Sequence, residues 1–442
     1  MPVVPITDGK SRDARLDALR GLFLLIMAAV HVPTPLSHLL QEPFGYTSAA
    51  EGFVFLGACL AGFVYGKTYL RADWAAMARR AWIRARQIYF VHLALVVPFA
   101  LFAWALGDRL PALANHFHDF LEHPCASLAL LPLLLHQPPL FDILPLYVIF
   151  LGATPFVLAS ARSRGWGIVL LVSGLCWLAA QFNTSGNLIG EPSRLLPVRL
   201  GPFSLLAWQF LWCGGLALGQ TALREGRATL AIPASSRKHE APNSKLQHPE
   251  KRQAPTIHAT PRAFGIWSLK FLWSLDIGAW RFLPRGATKA SAQPRRMTGT
   301  WRLALGVAAA VLVLAGLLSR HGCWPHAWFS PDLYLWMDKW TLGPLRLLNF
   351  AAWVVLLLCW RPSLPSLLSP LALLGRHALT VFALHVPAAI LATIIIQTFA
   401  LPSPVQTGIG LLVIASIFAW AALQESFPRS GASLGPVFQT RS

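Results

Sequence analysis

Apolar residues in this chain fall in long runs, separated by short polar or basic connections. A membrane-crossing helix needs about 20 mostly apolar residues. Runs of that kind lie at roughly 16–33, 47–66, 84–106, 141–160, 166–182, 203–221, 301–319, 343–360, 375–400 and 406–424. The pattern predicts an all-α integral membrane protein, a polytopic bundle of about ten transmembrane helices. A further run from Leu128 to Leu135 is short and broken by proline, and is expected to be re-entrant or interfacial. Residues 1–17 are polar and mixed in charge. They show no short apolar core followed by a small-residue cleavage site, so the first helix is expected to be retained.

The connections carry an orientation. Lys67, Arg71, Arg79, Arg80, Arg84 and Arg86 lie between or at the ends of the second and third runs, and Arg162 and Arg164 between the fourth and fifth. The long connection after the sixth run is again rich in Lys and Arg. These loops alternate, so the positive-inside rule puts them all on the cytoplasmic face. The opposite loops hold Asp108, His116, His118, Asp119, Glu122 and His123, or Asn183, Thr184 and Glu191, and read as periplasmic. An even number of helices then leaves both termini in the cytoplasm.

Four stretches follow from this: a first membrane half of six helices at 1–221, a basic cytoplasmic insertion at 222–300, a second half of four helices at 301–424, and a cytoplasmic tail at 425–442. Within the insertion, 234–261 has the composition of a disordered linker. Residues 262–284 mix Trp267, Trp273, Trp280 and three phenylalanines with Arg262, Lys270 and Arg281. That suits a helix lying in the membrane interface; Asp276 and the basic residues oppose full insertion.

Composition agrees with a membrane protein. Of 442 residues, 55% are hydrophobic and 12% charged, against about 25% charged in a soluble domain; mean hydropathy is +0.52. The net charge of +19 is accounted for by cytoplasmic loops. No RNA-binding, zinc-finger or helix-turn-helix pattern points to nucleic acid. Of six cysteines, Cys125 and Cys323 fall in outer loops and could pair, while the rest sit in apolar runs as small hydrophobes.

Ionisable groups inside membrane segments are costly and therefore candidates for function. Arg20 and His31 stand eleven residues apart on the first helix. At about 100° per residue they share a face, with an axial separation of about 16 Å. The guanidinium could hold phosphate or carboxylate; a neutral imidazole could take a proton from a hydroxyl. Spacing alone favours a plainer arrangement, with Arg20 snorkelling to the inner headgroups and His31 at the outer interface. Glu51, at the periplasmic start of the second helix, is expected at the depth of His31, where a carboxylate could fix its tautomer. Gly62 and Gly66 are expected to bring that helix close to a neighbour. His92, Asp142, Tyr147, Gln209, Arg346, Asn349, Arg376, His377 and His385 are further polar positions in apolar surroundings. Together they imply a polar pocket or path. No serine-nucleophile, Walker, dinucleotide or metal motif stands out.

The opening helix, RLDALRGLFLLIMAAVH, resembles that of the acyltransferase-three superfamily, marked by Arg, ten residues, His. The segments AAEGFVFLGACLAGFVYG, FDILPLYVIFLGATP, WQFLWCGGLALG, DKWTLGPLRLLNF and LGRHALTVFALHV narrow the resemblance to the OpgC family, which adds succinyl groups to osmoregulated periplasmic glucans. The resemblance spans nearly all the helical core but not 222–300. Where the family usually carries Ser-Gly after FVFL, this chain has Gly57-Ala58.

The resemblance implies a bacterial inner-membrane acyltransferase using cytoplasmic acyl-CoA, succinyl-CoA above all, as donor substrate rather than a bound cofactor. Arg20 would sit where CoA approaches, and Arg84 and Arg86 could bind its phosphates, though positive-inside anchoring serves them equally. His31 would deprotonate a glucosyl hydroxyl, with Glu51 orienting it. Asp142, Tyr147, Arg346, Arg376 and His385 would line the substrate path, Arg346 or Arg376 meeting the succinyl carboxylate. The alternatives are an acetyltransferase acting on another surface glycan or lipid-linked sugar, and a transporter using the same path without chemistry.

Overall fold

The computed structural model describes residues 14–182, 198, 200–230, 299–322, 336–360 and 368–426. Every element among them is helical. The first half comprises α1 (Ala14–His31), α2 (Pro35–Leu40), α3 (Ala49–Arg71), α4 (Trp74–Leu106), three short helices α5 (Pro111–His116), α6 (His118–Glu122) and α7 (Pro124–Leu130), then α8 (Ile143–Arg164), α9 (Trp166–Phe182) and α10 (Leu205–Leu230). The second half comprises α11 (Gly299–Arg320), α12 (Pro344–Trp360), α13 (Ser369–Arg376), α14 (Ala378–Thr398) and α15 (Ser403–Ser426).

A helix covers each of the predicted apolar runs. Six of these helices are long and apolar enough to cross a membrane: α3, α4, α8, α11 from Leu303, α14 and α15. The chain is a multi-pass membrane protein. Outward faces of α9 and α11 carry exposed Leu171, Leu175, Leu303 and Leu314. Exposed apolar rows of this kind match lipid rather than water.

Several boundaries differ from the sequence reading. The third predicted run begins ten residues earlier, at Trp74, because the Asp73 carboxylate caps the helix by accepting from the Ala76 amide at 2.7 Å. The run predicted as one helix over 375–400 is divided at His377, whose backbone leaves helical geometry between α13 and α14. The His377 ring is held at 2.9 Å by Glu425 of α15, which fixes the junction. Residues 222–230 continue α10. The linker and interfacial segment expected at 231–298, the tail beyond 426 and Cys323 lie outside the described residues.

Two backbone-to-backbone contacts set the bundle. A Cβ on Gly62 would lie 2.3 Å from the Leu216 carbonyl oxygen, and one on Gly219 would lie 2.0 Å from that of Cys59. Helices α3 and α10 therefore touch through glycine, as small-residue packing in membranes allows; Gly66 meets the Gln220 side chain of α10. Likewise a Cβ on Gly21 would lie 1.8 Å from the Leu371 oxygen, and one on Gly375 1.8 Å from that of Asp17. This locks α1 to α13. Held there, α1 also packs against α3, α14 and α15 and runs through the interior of the bundle.

Candidate functional site

Helix α1 ends at His31 because Pro33 disfavours helical geometry in the residue before it. Thr34 then caps the short α2 with a reciprocal hydrogen-bond pair to Ser37. The chain turns back through residues 41–48 into α3. This turn leaves His31 at a cleft of about 480 Å³ lined also by Met27, Ser48, Asp142, Lys339 and Phe382. The Nδ1 of His31 lies 3.2 Å from Nε2 of His385, a fully buried residue of α14. The two rings stack with centroids 5.2 Å apart and an angle of 22°.

Charges around the cleft are mixed. The ammonium of Lys339 acts on both His31 and Asp142 and lies 5.0 Å from the centre of the Trp340 ring. Burial pushes the carboxyl of Asp142, just before α8, up to about 6. His116 at the end of α5 also reaches His31 electrostatically. Its Nε2 is 3.2 Å from the Pro139 carbonyl, and burial lowers its pKa.

Glu51 has a different partner from the one expected. Ser48 and Glu51 form a capping box at the start of α3: the Ser48 amide donates to Oε2 of Glu51 at 3.0 Å, and the Ser48 hydroxyl bonds the same oxygen. The other oxygen receives the Nε–H of Arg346 from α12. Arg346 also donates from Nη1 to Glu42 at 2.7 Å, and Glu42 accepts from Arg320 at 2.6 Å. Both oxygens of Glu51 are thus taken, and the hydrogen-bond partner of the His31 ring is His385. Arg346 belongs to this buried network beside the cleft rather than to the cleft lining.

At the other end of α1, Arg20 lies 4.0 Å from Asp17. The charges of Arg20 and Arg84 both act on Tyr147 of α8, whose hydroxyl donates to the Phe53 carbonyl at 2.7 Å. Arg84 is half-buried, and Arg86 is exposed on another face of α4. A Cβ on Gly57 would lie 2.4 Å from the Tyr147 oxygen, so the glycine at this position makes room for the tyrosine. Arg376 lies 3.4 Å from Glu425 on the α13–α15 side, away from the cleft. The structure therefore brings His31 and Asp142 to one cleft with His385 buried against His31, groups Arg20, Arg84 and Tyr147 along the path of α1, and sets Arg346, Arg86 and Arg376 outside both.

Sequence reasoning passed over Lys339 and Ser48 in the cleft. Lys339 stands in DKWTLGPLRLLNF, where a lone lysine beside tryptophan resembles an interfacial anchor. Ser48 was legible as the first residue of SAAE, a capping-box spacing. Elsewhere, His118, Asp119 and Glu122 of α6 bring ligand atoms within 4.8 Å of one another on a largely exposed surface, an arrangement common without an ion.

The sequence pattern of the OpgC protein family matches residues 12–236 and 258–429. The chain belongs to the OpgC family. The match takes in α1 through α15 and therefore the OpgC-family cleft, the α1 path and the Glu51–Arg346 network together. No curated protein and no solved structure matches the chain.

Proposed function

We propose that this OpgC-family protein is a membrane O-acyltransferase that moves a succinyl or related acyl group from cytoplasmic acyl-CoA to hydroxyls of a periplasmic glucan. All ten predicted segments cross the inner membrane in this reading, with both termini in the cytoplasm. The observation that carries it is the placement of His31: an imidazole on a mixed-charge cleft at one end of an interior helix, with Arg20 eleven residues back towards the other end.

His31 takes the proton of a glucan hydroxyl. The hydroxyl oxygen attacks the thioester carbonyl carbon, the new C–O bond forms as the C–S bond breaks, and the proton passes to the departing CoA sulfur. General-base catalysis of this kind contributes about 10² to 10⁴ in rate. Arg20 and Arg84 attract the phosphates of CoA at the cytoplasmic end of the path. Asp142 accepts hydrogen bonds from sugar hydroxyls. Lys339, the cation on the cleft beside His31, meets the acyl carboxylate, a role that the ion-paired Arg346 and Arg376 fill less well.

The test is to replace His31 by Ala in the native host and analyse periplasmic glucans by mass spectrometry. Loss of anionic acyl substituents with the glucan still present supports the reading. Persistence of succinyl groups at the normal level contradicts it. Disappearance of the glucan itself favours transport, and loss of acetyl rather than succinyl groups favours the acetyltransferase alternative.

A further inference from the structure

We infer that the outward face of α4 at its basic end is a seat for one anionic phospholipid, with the phosphate held by Arg79 and Arg86 and the acyl chains laid against Trp82, Ile83, Phe90 and Phe156. The cleft takes no part in it.

At about 100° per residue, Arg79, Ile83, Arg86 and Phe90 fall within about 60° of one another around the α4 axis. All four are exposed, and Trp82, 42% exposed, flanks the stripe they form. Arg84 lies off this stripe and donates from Nη1 to Gln87 at 3.4 Å. Among the described residues neither Arg79 nor Arg86 has a carboxylate partner, unlike the ion-paired Arg320, Arg346 and Arg376.

The stripe lies at the depth of lipid headgroups. From Gln87 to Leu106, α4 runs for twenty residues without an Asp, Glu, Lys or Arg. That is about 30 Å of helix, one hydrocarbon thickness. Arg86 therefore stands at the edge of the hydrocarbon, with Arg79 about 10 Å further out along the axis. Trp82 falls between them, at the level where interfacial aromatic residues gather.

Beside the stripe is a fixed apolar platform. The Trp82 indole donates to the Gly152 carbonyl of α8 at 3.1 Å, and the Trp74 indole to that of Pro155 at 3.3 Å. The rings of Trp74, Trp82 and Phe156 pack on one another with centroids 5.9, 5.8 and 6.3 Å apart. A Cβ on Gly152 would meet nothing within 4 Å, so α8 leaves open space next to Trp82. Two unpaired cations alone would suit any anion. Cations and exposed aromatic surface on one face, at the boundary of hydrocarbon and headgroup, suit an amphiphile that carries a phosphate. Each arginine favours an anionic over a zwitterionic headgroup by about 5-fold.

The experiment titrates the full chain in detergent with phosphatidylglycerol or phosphatidylcholine and counts bound lipids by native mass spectrometry. The parent should hold one phosphatidylglycerol about 30-fold more tightly than phosphatidylcholine. Arg79→Gln with Arg86→Gln should remove that preference. Both side chains are exposed, so the fold should be kept. Arg71→Gln with Arg162→Gln removes the same charge from exposed positions on α3 and α8 and should keep the preference. Trp82→Ala should weaken both lipids alike. An unchanged preference in the Arg79–Arg86 variant overturns the inference. Equal loss in the two double variants also overturns it, since that is diffuse attraction to net charge. Displacement of phosphatidylglycerol by glycerol 3-phosphate at similar concentration would reveal a plain anion site and overturn the lipid assignment.

Discussion

The Arg346 guanidinium and the Glu51 carboxylate form an ion pair between α12 and α3 with neither side chain more than 2% exposed. The pair ties α12 to α3 beside the cleft. Removing one member of a buried pair costs about 3–5 kcal/mol, because the other charge is left behind. Glu51→Gln and Arg346→Met should therefore each lower stability by about 3–5 kcal/mol in detergent unfolding. Ser48→Ala, which removes only the cap hydroxyl, should cost about 1 kcal/mol. Equal, small effects for all three would show that the network carries no such weight.

The α1–α13 contact has its own signature. Gly21→Ala places a methyl 1.8 Å from the Leu371 oxygen, and no rotamer relieves a Cβ–backbone clash. The variant should fail to accumulate as folded protein. Gly152→Ala on α8 has nothing within 4 Å of its new Cβ and should be neutral or more stable by about 0.5–1 kcal/mol. Size-exclusion profiles of both variants in mild detergent check the contrast.

Asp142 makes stability depend on pH in a defined direction. Its carboxyl is raised to about 6 in the folded protein by burial, above the reference of about 3.9 for the unfolded chain. Folding therefore favours the protonated form, and the carboxylate destabilises the fold increasingly as pH rises from about 4 to about 6. Relative to the parent, Asp142→Asn should gain thermal stability across that window and keep the gain above it. Midpoints measured at pH 4, 5, 6 and 7 test this; a gain independent of pH would rule out the ionisation as its cause.

Lys339 provides a test of donor choice. A charge-assisted hydrogen bond contributes about 1.5–3 kcal/mol, so Lys339→Met should weaken use of succinyl-CoA by about 10- to 100-fold. Use of acetyl-CoA, which lacks the carboxylate, should change little. Parallel steady-state assays with the two donors measure the ratio, and an equal loss on both donors would remove Lys339 from acyl recognition.

Much of the architecture was written in local pattern. Long apolar runs mark helices because lipid forces the backbone to satisfy itself within each segment, and every such run is covered by helix. Gly62 likewise announced a close neighbour. That neighbour's identity, α10, could not be read, because a small residue says how near another helix comes and not which one. The site was legible in part for the same reason. His31 and Arg20 share a face by periodicity, but the partner of His31 lies 354 positions away, and no local rule links α1 to α14. Glu51 was misjudged at short range: depth put it beside His31, while the SAAE spacing, equally visible, sent its carboxylate back to Ser48 and left its other oxygen for Arg346.

The most direct test of the account is transfer across a sealed membrane. Full-length protein is reconstituted in liposomes with labelled succinyl-CoA on the side of the basic loops and unsubstituted glucan on the other. The account predicts label on the glucan hydroxyls with the parent protein and a loss of about 100-fold or more with His31→Ala. Equal labelling by the parent and His31→Ala, or an unlabelled glucan with the parent, would contradict it.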